Sequence, residues 1–150
     1  MPRLRFLSAA LLVVLASCKG DSTGSSPKAG RMTGLLDSSA WRGQAYGGIF
    51  QGELYVGSTR DRVEQHITAN VPFRGVGHYE IKPGDGEYYE TIGGDAVGYR
   101  AAATGGRLEV ETYDAATGTI TGTLSLTAAG SRGETRFRGG QFTIQAPTQN

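Results

Sequence analysis

The chain has 150 residues, with 15 Lys and Arg against 14 Asp and Glu and a formal net charge of +1. That near balance, with both signs interspersed, excludes a basic footprint for nucleic acid and a polybasic patch for anionic lipid. Glycine supplies 24 residues, about twice the usual ~7%, without the Gly-X-Y period of collagen; together with frequent Thr, Val, Ile and Tyr it points to strands joined by many tight turns.

At the N-terminus, Arg3 and Arg5 precede an almost wholly apolar run from Phe6 to Val14. A basic start, a short apolar core and small residues after it are the marks of a secretory signal peptide, and the run falls short of the ~20 residues that span a bilayer. The run ends in Leu15-Ala16-Ser17-Cys18, which holds the only cysteine in the sequence. This stretch resembles the lipobox of bacterial lipoproteins. The resemblance implies that the signal, residues 1–17, is cut off and that Cys18 is alkylated with diacylglycerol and acylated on its new amine. Cys18 is then a lipid attachment point with no catalytic role, and membrane lipid is its partner. One acyl chain anchors only reversibly, whereas two or three hold a protein on the membrane. With one cysteine, no disulfide can form within the chain.

Removing the first 17 residues leaves 133 and a side-chain charge of about −1, the size of one domain. Residues 18–31 form the next unit, in which Lys19 to Arg31 has no apolar residue except Ala29. It is expected to be a flexible tether reaching at most about 45 Å. Lys19, standing where an Asp favours inner-membrane retention in enteric bacteria, inclines the resemblance towards the outer membrane of the cell envelope.

Residues 32–147 carry a period-two pattern broken every 8 to 12 residues by Gly, Asp or Pro, the pattern of an antiparallel sandwich or flattened barrel; residues 148–150 are a tail. Thr33 to Leu36 and Trp41 to Tyr46 flank a turn at Asp37-Ser38-Ser39. Ile49 to Val56 reads as a strand with Phe50, Leu54 and Val56 on one face. Arg62 to Val71 alternates, with Val63, Ile67, Ala69 and Val71 inward. His78 to Lys82 places Tyr79 and Ile81 inward, Pro83-Gly84-Asp85-Gly86 is the strongest turn signal, and Tyr88 to Ile92 follows, closed by Gly93-Gly94-Asp95. Val97 to Ala103 and Arg107 to Tyr113 read as two strands separated by Thr104-Gly105-Gly106. In the last hairpin Ile120, Gly122, Leu124, Leu126 and Ala128 face inward opposite a Thr-rich outer face, and the return strand carries Phe137, Phe142 and Ile144 around a bulge at Gly139-Gly140. The expectation is an all-β meander of about nine strands.

The series Met32-Thr33-Gly34-Leu35-Leu36-Asp37 with Trp41, Gly77-His78-Tyr79, Gly118-Thr119-Ile120-Thr121-Gly122-Thr123-Leu124 and Phe137-Arg138-Gly139-Gly140-Gln141-Phe142 is similar to a family of small secreted bacterial lipoproteins. The likeness covers roughly Met32 to Ile144. It implies the fold and the anchoring, and brings no site residues with it.

His66 and His78 each have a carboxylate two positions away, Glu64 and Glu80, but no spacing brings the two pairs together as a zinc site requires. Glu87, Glu90, Glu109, Glu111 and Asp114 lie on the outer faces of strands, without the cleft that a glycosidase pair about 5 to 9 Å apart needs. No strand-turn-helix context for a nucleophilic serine is visible. No catalytic residue, metal ligand or cofactor is therefore assigned. Arg132, Arg136 and Arg138 around Glu134 read as a charged strand edge that discourages pairing. Trp41, Tyr88 and Tyr89 are the candidate ligand contacts, since adjacent tyrosines point to opposite faces and an outward ring suits a sugar or peptide. The expected function is a non-catalytic binding or assembly module for an envelope protein or glycan. A barrel-type carrier of a small apolar ligand is the alternative, and an envelope hydrolase ranks below both.

Overall fold

Alternation of apolar and polar residues commits most of this chain to strands with one buried face. The computed structural model describes residues 30–60, 64–91 and 98–145. These form β1 (Gly30–Leu36), β2 (Ser39–Phe50), β3 (Glu53–Arg60), β4 (Gln65–Pro72), β5 (Gly77–Ile81), β6 (Gly86–Glu90), β7 (Tyr99–Asp114), β8 (Thr119–Gly130) and β9 (Gly133–Gln145), with no helix among the described residues. The signal segment, Cys18, Val63 and the turn at Gly93-Gly94-Asp95 lie outside the described residues.

Every pairing is antiparallel, in the order β1-β2-β3-β4-β6-β7-β8-β9. The ring closes where β9 returns to β1, with Arg31 opposite Thr143 and Leu36 opposite Phe137. The all-β meander is thus a barrel-like sheet of eight strands with β5 as an additional strand on β7. An eight-stranded barrel is just wide enough for side chains to fill. Inside it lie Met32, Trp41, Leu54, Ile67, Ile81, Leu108, Ile120, Leu124, Phe137 and Ile144, each at most 2% exposed. Among the described residues, every buried side-chain nitrogen and oxygen has a hydrogen-bond partner.

The Gly30 end of the barrel holds the start of β1, the end of β9, the turn at Gln51-Gly52, the loop Phe73–Val76 and the turn between β7 and β8. The opposite, Trp41 end holds the start of β2 and the ends of β3 and β6.

Five expectations need correction. Gly30 and Arg31 belong to β1, so strand structure begins before Met32. Ile49 to Val56 is not one strand, because Gln51 (φ 49°) and Gly52 (φ 83°) reverse the chain. Two consecutive positive φ values make the type of turn whose twist matches a hairpin; the reversal breaks the alternation and leaves Phe50 59% exposed beside buried Leu54 and Val56. Thr104-Gly105-Gly106 is not a turn either: β7 continues through it for 16 residues, absorbing one extra residue between Ala103 and Gly105 as a bulge against β8. Pro83-Gly84-Asp85 makes the expected turn, closed by Asp85 N donating to Lys82 O, but does not fold β6 back on β5. Both strands lie in line along one edge of β7, with Ile81 opposite Gly106 and Glu87 opposite Ala102, so five residues of one strand face three of the other and the surplus bulges outward. Finally, the arginines of β9 line no edge, because β9 is paired on both sides, with β1 and with β8.

Candidate functional site

Trp41, Tyr88 and Tyr89 do not share a surface. Trp41 opens the inward face of β2 and is 1% exposed. Its indole Nε1 donates to Ser58 Oγ across the barrel wall at 3.0 Å, and its ring meets the edge of Phe137 at 5.7 Å. Tyr88 also points inward and is 4% exposed, packing edge-on to Tyr99 at 6.2 Å and donating its hydroxyl to Glu90 Oε2 at 2.8 Å. Burial, reinforced by that carboxylate, raises the Tyr88 phenol above its ordinary value. Trp41 and Tyr88 are therefore core residues of the Trp41 end, which corrects their reading as ligand contacts. The period of two explains the outcome: whatever buries Tyr88 must turn Tyr89 out.

Tyr89 is on the outer wall and half-buried. The Arg100 guanidinium lies over its ring at 4.8 Å, and Arg100 is held there by Glu87 Oε2 at 2.9 Å. The His66 ring is 5.7 Å away, and Thr91 Oγ1 donates to the phenol oxygen at 3.2 Å. One face of Tyr89 is thus covered by Arg100.

The histidines and carboxylates are separately engaged. His66 Nδ1 is 3.0 Å from Thr59 Oγ1, and His78 Nδ1 faces Glu109 Oε2 at 3.3 Å. Asp114 accepts from Ala116 N and Thr117 Oγ1 within the turn after β7, and these bonds hold its carboxyl below the usual range. Among the described residues no group of three His, Cys, Asp or Glu could hold a metal ion.

What the alternation could not indicate is a cleft of about 460 Å³ where β4 parts from β5, lined by Val71, Pro72, Arg74, Tyr79, Glu80, Lys82 and Asp85. The bulge makes it. Because Pro83-Gly84-Asp85 loops out, β4 pairs with β6 only up to Ala69 opposite Gly86, and beyond that point β5 pairs with β7 alone. Asp85 Oδ2 accepts from Lys82 N at 3.0 Å and Asp85 N donates to Lys82 O at 3.0 Å, locking the bulge. On the far side, buried Tyr79 fixes the loop after β4, since its hydroxyl donates to Gly75 O and accepts from Arg74 N at 3.0 Å. The Arg74 guanidinium stands 5.5 Å from the Tyr79 ring. The cleft therefore has an apolar floor, Val71 and Tyr79, under a rim with two cations, Arg74 and Lys82, and two carboxylates, Glu80 and Asp85. Such a rim can pair with both donors and acceptors of a polar ligand.

No protein-family model, curated protein or solved structure matches this chain.

Proposed function

We propose that the protein is a cell-envelope lipoprotein, anchored through acylated Cys18, whose barrel is a non-catalytic module that binds a polar segment of an envelope protein or a glycan in the cleft between β4 and β5. The observation that carries the binding reading is the cleft itself: a rigid bulge and a tyrosine-clamped loop hold an opening between two strands whose neighbours are otherwise continuously paired. Its mixed-charge rim favours polar recognition, and among the described residues no group of three His, Cys, Asp or Glu converges on one point. A carrier of an apolar ligand is less well supported, because the barrel interior is occupied by packed aliphatic and aromatic side chains.

Two experiments test the two halves of this proposal. Labelling with a fatty-acid analogue should mark the full chain and should fail with Cys18→Ala; retention of that variant in the membrane fraction would place the anchor elsewhere. A glycan array and an envelope extract should each be probed with the wild type and with Arg74→Ala/Lys82→Ala, whose changed residues lie on the rim and leave the core intact. The expected result is a partner bound at least tenfold more weakly by the double variant. Equal binding, or no partner in either screen, removes the cleft as the binding site.

A further inference from the structure

We infer that the Gly30 end of the barrel lies against the lipid bilayer, its exposed apolar side chains seated among the headgroups. This inference rests on the anchored-lipoprotein reading and adds to it an orientation and a second membrane contact. Of the five exposed large hydrophobic residues among the described ones, Leu35, Tyr46, Phe50, Val76 and Tyr113, three belong to this one end. Phe50 precedes the turn at Gln51-Gly52, Val76 ends the loop after β4, and Tyr113 stands beside the turn after β7.

Phe73 links the three segments. Its backbone N–H donates to Gly52 O at 2.7 Å, and its half-buried ring meets the Tyr113 ring edge-on at 5.3 Å. Phe73 thus gathers the segments that carry Phe50, Val76 and Tyr113 at one end of the barrel. Single exposed apolar residues need no explanation, whereas a contiguous patch marks an interaction surface.

What covers the rim follows from where the chain enters the barrel. β1 begins at Gly30, at this same end. Twelve residues, from Cys18 to Ala29, separate the acylated cysteine from that point, at most about 40 Å of chain. The lipid surface is thus within reach of this end at high effective concentration. Aromatic and aliphatic residues on short turns are suited to the headgroup boundary. The charged residues around the rim, Arg31 and Arg74 against Glu53, Glu111 and Asp114, do not favour an anionic surface, so contact is apolar and requires no anionic lipid.

The test uses the chain from residue 18 onward with Cys18→Ser, which retains the whole barrel because all nine strands and the core lie within residues 30–145. Mixed with phosphatidylcholine vesicles, it should float with them, and added salt should leave the bound fraction unchanged. Phe50→Ser/Val76→Ser should lower partitioning at least tenfold, and Leu35→Ser, at the other end, should lower it less than twofold, with the circular dichroism of all three unchanged. A wild-type chain that stays off the vesicles overturns the inference, as does equal partitioning of Phe50→Ser/Val76→Ser. So does sedimentation showing a dimer that this double variant abolishes, since the rim would then cover a second copy. Fatty-acid labelling of Cys18 in the full chain is read separately, so a missing anchor and a rim that does not bind lipid give different results.

Discussion

Gly140 and Gly57 both lie beside an aromatic ring, yet a methyl group added at each should have different consequences. A Cβ at Gly140 would stand 2.2 Å from the buried Phe137 ring and 2.6 Å from the Leu124 carbonyl, neither of which can yield. The three atoms nearest a Cβ at Gly57 all belong to the Tyr46 ring, the closest at 2.5 Å, and Tyr46 is 37% exposed and can shift outward at the cost of its contact with Tyr55. Gly140→Ala should therefore cost about 2 kcal/mol or more, and Gly57→Ala less than about 1 kcal/mol, as measured by denaturant unfolding; equal costs would contradict this account of the packing. The glycine excess, read from the sequence as turns, is partly of this second kind. Glycines inside β1, β2, β8 and β9 clear space for rings or for the neighbouring backbone, and composition cannot distinguish that use from a reversal.

Tyrosine ionisation gives a second test at this scale. Burial, and then the neighbouring Tyr46, pushes the Tyr55 phenol up from 10.0 to about 12, and Tyr88 is raised in the same direction. A raised phenol pKa means that the fold favours the neutral form, so this contribution to stability is fully present below pH 10. It is lost as pH climbs from 10 towards the folded value, because the unfolded chain releases its phenol protons first. Unfolding followed by circular dichroism should set in across pH 10–12, with the last tyrosines ionising only as structure is lost. Tyr55→Phe should make stability less steeply dependent on pH in that window; an unaltered dependence would assign the alkaline transition to other groups.

Among the elements, the hairpin of β8 and β9 is readable residue by residue. Ile120, Leu124, Leu126, Phe137, Phe142 and Ile144 are all buried as their spacing requires, and Gly139, at φ 59°, makes the expected bulge. Elsewhere alternation identified the buried face without identifying connectivity. Pro83-Gly84-Asp85 and Thr104-Gly105-Gly106 carry the chemistry of reversals, but the first interrupts a strand in line and the second bends β7. Pairing with partners distant in sequence decides between turn and bulge, and local propensity does not report it. The cleft was invisible for the same reason, because it exists only where the bulge parts β4 from β5. Since the bulge holds two surplus residues, deleting Pro83 and Gly84 should restore one register along β7 without exchanging the faces of β5 or β6. The deletion should unfold cooperatively, like the wild type, and lose binding at the cleft. A protein that no longer folds would show that these residues carry more of the wall than their register implies.

For the whole molecule, ring closure by β1 and β9 brings the two ends of the described barrel together, since Arg31 is opposite Thr143 and neighbouring strands lie about 5 Å apart. A short glycine linker joining residue 145 to residue 30, with new termini opened at Gln51-Gly52, should give a permuted barrel with unchanged circular dichroism and a melting temperature within about 10 °C of the parent. Failure to fold would argue that the β2–β3 turn must be intact for the ring to close.

The additional strand has a consequence for how the protein behaves in a crowded compartment. Eight strands that close on themselves present no sheet margin on which another chain could grow. The margin of β5 is the longer exception among the described residues, since β5 pairs with β7 alone, and the short end of β4 beyond Ala69 faces it across the cleft. It is five residues long, and His78 and Glu80 stand exposed upon it. Aggregation, when heat or mutation provokes it, should therefore begin at Gly77–Ile81, and replacing His78 and Glu80 with valine should convert a guarded border into a nucleus for fibrils.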